Sequence, residues 1–136
     1  DGGSLAFVSS RNGSPQIFIM DVESGAVRRL TTAGKHNVQP AWSPDGGRIA
    51  FAARDEGRFD VFVVNVDGTG LRRLTQSSGN DEDPSWAPNG RYLVYTSTRD
   101  GSQKLWIMDD DGNHQRAITS GGSFSNPDWG PLLGSR

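Results

Sequence analysis

Cysteine is absent from the 136 residues, so neither a disulfide nor a thiolate metal site can hold this chain together. Histidine occurs only twice, as His36 and His114, in different parts of the chain. No G-x-S-x-G elbow, H-E-x-x-H helix or phosphate-binding loop occurs, and no serine or aspartate is set apart with a base beside it. These absences point away from an enzyme. No run of 18 apolar residues exists, so nothing reads as a membrane-spanning helix. A basic excess is also missing. The formal net charge is −2, which argues against a nucleic-acid surface. No apolar period of 3.6 is sustained, so helices are not expected. No signal peptide is visible, but the opening DGGSLAF lies inside a repeat, so the start of a longer protein is expected upstream.

Glycine, by contrast, is abundant, at 18 residues against a typical share of about 7%. It punctuates a repeat. The stretch HNVQPAWSPDGGRIAF at 36–51 returns as NDEDPSWAPNGRYLVY at 80–95 and begins again as SFSNPDWGP at 123–131. Asp1, Asp45 and Asn89 are spaced by 44 residues, as are Leu30, Leu74 and Ile118. Pro40, Pro84 and Pro127 follow the same period to within one residue, as do Trp42, Trp86 and Trp129. This is the period of a four-stranded propeller blade, roughly 40–45 residues. The expected units are 1–44, 45–88 and 89–131, with a tail at 132–136, all in one β-propeller region.

Within the second unit, Arg48–Ala53, Asp60–Asn65, Leu71–Thr75 and Asp83–Ala87 read as strands. Pro44-Asp45-Gly46 and Pro88-Asn89-Gly90 read as tight turns, and so do Asp67-Gly68 and Asp111-Gly112. A tryptophan recurring once per blade is expected to pack between adjacent sheets, where a large flat side chain fills space.

These pieces carry a resemblance. The pattern P-A-W-S-P-D-G-x-x-I-A-F, then I-F-I-M-D, then R-R-L-T, resembles the repeat of TolB-type propellers across all three units. The third unit departs by keeping only Arg116 of the arginine pair. The resemblance implies a six-bladed propeller in which the P-A-W-S strand is innermost and R-R-L-T outermost. It implies a periplasmic, non-catalytic module of the Tol–Pal system that binds Pal, the peptidoglycan-associated lipoprotein. The expected fold class is all-β, with three four-stranded antiparallel blades forming half of such a ring. The first blade would lack its inner strand, and the Pro127–Trp129 segment would supply one. A second copy exchanging that segment, in a homodimer, would close six blades.

Given that strand order, the connections Thr32–Gln39, Gln76–Asp83 and Ser120–Asn126 should reach the mouth of the central channel. Their content diverges on a repeated frame: His36 and Asn37, then Asn80, Asp81, Glu82 and Asp83, then Phe124 and Asn126. These are the candidate partner-binding residues. The resemblance implies family contact positions at His36, Asn37 and Asp83. Calcium at the Asn80–Asp83 cluster is the competing reading, but no EF-hand spacing is present, and solvated acids are favoured over a metal. No cofactor is expected. The rival function is a propeller that gates substrate for a prolyl-oligopeptidase-like or tricorn-like hydrolase.

Overall fold

The computed structural model describes residues 3–11, 13–55 and 57–118. Among the described residues, eleven strands fall into three antiparallel sheets. The first holds β1 (Ser4–Ser9), β2 (Gln16–Asp21) and β3 (Val27–Arg29). The second holds β4 (His36–Trp42), β5 (Arg48–Asp55), β6 (Arg58–Asn65) and β7 (Arg72–Arg73). The third holds β8 (Asp81–Trp86), β9 (Tyr92–Ser97), β10 (Lys104–Asp109) and β11 (Arg116–Ala117). Each four-stranded sheet runs in chain order, β4-β5-β6-β7 and β8-β9-β10-β11. These are propeller blades, and the chain is all-β as the repeat implies. The Pro127–Trp129 segment expected to complete the first blade lies outside the described residues.

The turns follow the sequence. Gly46 and Gly90 take φ of 73° and 74° and donate back to Ser43 and Ala87 carbonyls at 2.9 and 2.8 Å. A residue with a Cβ resists that conformation. The middle strands of blade two, β5 and β6, are β-branched and aromatic because both of their faces are covered by neighbouring blades. Ile17, Ile19, Leu30, Ile49, Phe51 and Val64 form the core between blades one and two. Ala50, Val61, Val63, Leu74, Trp86, Leu93, Tyr95 and Met108 form the core between blades two and three. Trp42 and Trp86 pack in these two seams. Trp129 lies outside the described residues.

The inner strands start earlier than the sequence pattern predicts. β4 begins at His36 rather than Pro40, and β8 at Asp81 rather than Asp83. Each absorbs a register shift, between Val38 and Ala41 in one and between Glu82 and Ser85 in the other. The proline sits inside that bulge, where the ladder has no N–H bond to lose. β4 packs on blade one and β8 on blade two, so these strands gather at the inner edge. The outer strands β3, β7 and β11 are short and exposed, which keeps an open sheet edge from pairing with another chain.

The arginine pair has a division of labour. Arg28 and Arg72 reach the next blade, donating to the carbonyls of Val66 at 2.6 Å and Asp111 at 3.2 Å. Arg29 and Arg73 fold back on the carbonyls of Thr31 and Thr75 in their own blade. Each such crossing meets the next blade at a glycine turn. Gly112 has φ of 90°, and a Cβ there would lie 2.9 Å from the Leu74 carbonyl oxygen. Gly112→Ala is therefore expected to cost about 1–3 kcal/mol, read as a lower urea midpoint with an unchanged slope.

Candidate functional site

The two bulges shape the inner edge. Gln39 and Asp83 occupy the left-handed region, with φ of 56° and 54°, although neither is glycine. Left-handed backbone in such residues is uncommon, and a residue before proline ordinarily stays extended. The strain is held by the surrounding ladder, and Gln39 adds a cross-blade tie. Its Oε1 accepts from the Asp83 backbone N–H at 2.9 Å. The sequence places Gln39 at the end of the Thr32–Gln39 connection without setting it apart as a site residue. Its signal was available: it stands 44 residues before Asp83, and both precede the repeated proline.

The sequence-predicted residues separate into two groups. His36, Glu82 and Asp83 are half-buried on the inner strands and present surface there. His36 Nε2 lies 3.2 Å from Arg54 Nη2. Because a guanidinium only donates, this contact calls for a neutral imidazole accepting at Nε2. Burial, then the neighbouring charge of Asp83, pushes the Glu82 carboxyl above its ordinary pKa, while Gln39 opposes the shift.

Asn37 and Asp81, expected at the partner surface, are buried at 4% and 0% exposure. Asn37 Nδ2 donates to Gln16 Oε1 at 2.7 Å and to the Ala33 carbonyl at 2.8 Å. Asp81 Oδ1 accepts from Arg99 Nη2 at 3.2 Å. Both side chains point into the seams, since the strand alternation that exposes His36 and Glu82 turns their neighbours inward. Asn80 is half-buried, and its Oδ1 accepts from the Phe59 N–H at 2.9 Å. These commitments leave the calcium reading without two of its proposed ligands. Among the described residues, no group of three His, Cys, Asp or Glu is placed to hold a metal. Pro40 and Pro84 fix the bulges rather than face a partner. Phe124, Asn126 and Pro127 lie outside the described residues.

The two seams differ in filling. Between the β3–β4 connection and the faces of β5 and β6 lies a crevice of about 900 Å³, floored by Leu30, Phe51, Phe62, Val64 and Leu71. In the next seam, Arg99 occupies the comparable space. Its guanidinium lies 4.1 Å from the Trp106 ring centroid and bonds Asp81, Gln115 and the Tyr95 hydroxyl. Forty-four residues earlier the chain has Asp55 and Leu71 in place of Arg99 and Gln115.

The comparisons with known proteins agree with the blade geometry. Residues 1–133 match the family described as TolB beta propeller domain. The chain superposes on TolB from Acinetobacter baumannii with TM-score 0.85 and 34% identity, over 97% of this chain and 33% of that one. It superposes on a putative TolB from Agrobacterium tumefaciens with TM-score 0.81 and 30% identity, over 88% and 46% respectively. A 46-residue stretch is 46% identical to the uncharacterized peptidase YuxL of Bacillus subtilis (strain 168), covering 33% of this chain and 7% of that protein. The chain thus spans less than half the length of each of these relatives.

Proposed function

The chain belongs to the TolB beta propeller domain family, and from that premise we propose that it is a non-catalytic docking module whose inner-strand edge binds a Pal-like lipoprotein in the periplasm. The observation that carries this reading is the pair of left-handed residues, Gln39 and Asp83, on a rigid scaffold. They hold unlike polar side chains on a repeated frame, with His36 at one blade and Glu82 and Asp83 at the next. Backbone strain of this kind is retained where the geometry serves recognition. A partner with basic or amide donors suits the Glu82–Asp83 pair, and an acceptor suits a His36 imidazole whose Nδ1 carries the proton.

Binding of a purified Pal-like domain to the chain tests the assignment. Glu82→Lys is expected to weaken binding at least about tenfold, because it places a cation where the partner's donors would sit. His36→Ala is expected to weaken it several-fold. Binding left unchanged by both variants removes this surface as the site. Closure of the ring by a second copy is part of the same reading and is tested by light scattering, which should give the mass of two chains.

The similarity to a peptidase favours one second reading, in which the propeller controls access to an attached hydrolase. Peptide hydrolysis by a longer form of the protein, without binding of a Pal-like domain, would select that reading over the first.

A further inference from the structure

A buried pair of carboxyl groups joins blades two and three. Asp60 on β6 is 3% exposed, and Asp81 at the start of β8 is 0% exposed. One oxygen of each meets an arginine: Arg73 donates to Asp60 Oδ2, and Arg99 donates to Asp81 Oδ1. The second oxygen of each, Asp60 Oδ1 and Asp81 Oδ2, is fully buried with no hydrogen-bond donor among the described residues. The two residues stand on β6 and β8, which pack against each other, and the interaction between them raises the Asp60 carboxyl. Two ionised carboxylates in that position would repel, and each would carry an unsatisfied buried acceptor.

The repeat supplies an internal control. Forty-four residues before Asp60 and Asp81 stand Gln16 and Asn37. They are equally buried, at 1% and 4% exposure, and they join blades one and two. There the contact needs nothing added, because Asn37 Nδ2 donates to Gln16 Oε1 at 2.7 Å. The second seam has kept the geometry and replaced both amides with acids. Among the described residues no side chain donates to either orphan oxygen, and a shared proton would restore the bond.

We propose that Asp60 and Asp81 share one bound proton, so that a carboxylic acid–carboxylate hydrogen bond latches blade two to blade three and releases when the proton leaves. The surroundings favour this state. Arg73 approaches from β7, Arg99 from the β9–β10 connection, and Tyr95 from β9, with Glu82 next along β8. β5 faces Asp60 with the uncharged Ala53, and β9 pairs Asp81 with Ser97. Burial and then the nearness of Asp81 hold the Asp60 carboxyl above its ordinary range against the pull of Arg73. Burial likewise keeps the Tyr95 phenol protonated.

The sign of the pH effect follows. A folded pKa raised above the unfolded value, near 3.8, gives stability that is fully present below that value. It is lost as pH rises through the folded pKa. Urea unfolding of the chain from about pH 4 to about pH 8 should therefore show a declining contribution in the wild type. In Asp60→Asn the amide can donate to Asp81 while its oxygen still accepts from Arg73. That decline should disappear, and the midpoint at about pH 8 should equal or exceed the wild type's. Asp81→Asn should behave alike. In the unaltered chain at neutral pH, infrared spectra should show the C=O stretch of a protonated carboxylic acid, absent from Asp60→Asn. Absence of that band in the wild type overturns the proposal. So does a midpoint lowered equally at every pH in both variants, which would mean two ionised carboxylates, each held by its own arginine.

Discussion

Arg99→Ala is expected to lower the unfolding free energy by about 3–5 kcal/mol, the cost of removing one partner from a buried ion pair. The side chain is only 17% exposed, and its partner Asp81 is fully buried. Four contacts disappear with it: Asp81 Oδ1 at 3.2 Å, Gln115 Oε1 at 2.9 Å, the Tyr95 hydroxyl at 3.1 Å and Ser97 Oγ at 2.9 Å. The stack on Trp106 goes too. Gln115 also anchors the seam, donating to the carbonyls of Leu74 and Gly112, so the loss spreads into the neighbouring hairpin. Lysine is not an adequate replacement, because it lacks the planar fork that serves several acceptors at once. Chemical denaturation of Arg99→Lys should therefore recover less than half of the loss. A change below about 1 kcal/mol for Arg99→Ala would place this pair among weak surface contacts instead.

Trp86→Ala is expected to cost a similar amount, about 3–5 kcal/mol, by leaving a cavity in the second seam. Trp86 is 6% exposed and packs in the core shared by blades two and three. It also ties the inner strands, since its Nε1 donates to the Ala41 carbonyl at 2.9 Å. Arg48 lies over its ring at 4.7 Å from the centroid and reaches Asp110 at 3.0 Å. Phenylalanine would restore the packing but not the N–H bond, so Trp86→Phe should recover most of the stability. Equal losses in the two variants would show that the hydrogen bond, rather than the filled volume, dominates.

The parts of this fold that depend on local chemistry could be read directly. Ile17 to Met20, Val61 to Val64 and Leu93 to Tyr95 are β-prone runs between turn residues, and each became a strand. The turns at Gly46, Gly68, Gly90 and Gly112 lie where Asp-Gly and Asn-Gly place them. The repeated tryptophan reads as a seam residue because a large flat side chain fills the space between adjacent sheets. What escaped was set by register between distant segments. Asn37 and Asp81 look like loop polars in sequence, yet their partners Gln16 and Arg99 lie 21 and 18 residues away. The early starts of β4 and β8 depend on bulges whose left-handed residues, Gln39 and Asp83, carry no glycine to announce them. The division of labour within the arginine pair likewise depends on the next blade, not on the arginines themselves.

The inner-edge surface also differs from its sequence outline. Of the described divergent residues, His36, Glu82 and Asp83 remain half-exposed on it, and Gln39 joins them through its tie across the blades. The buried neighbours hold the scaffold on which those side chains stand. Under the proposed docking role, recognition would sit on strands fixed by packing, and little ordering cost would be added on binding.

Calorimetric titration of the chain with the soluble domain of a Pal-like lipoprotein tests the docking assignment most directly. Saturable heat is expected, weakened at least about tenfold by Glu82→Lys and left unchanged by a substitution on the outer edge, such as Arg72→Ala. Absence of saturable heat, or equal affinity in the wild type and Glu82→Lys, would contradict it.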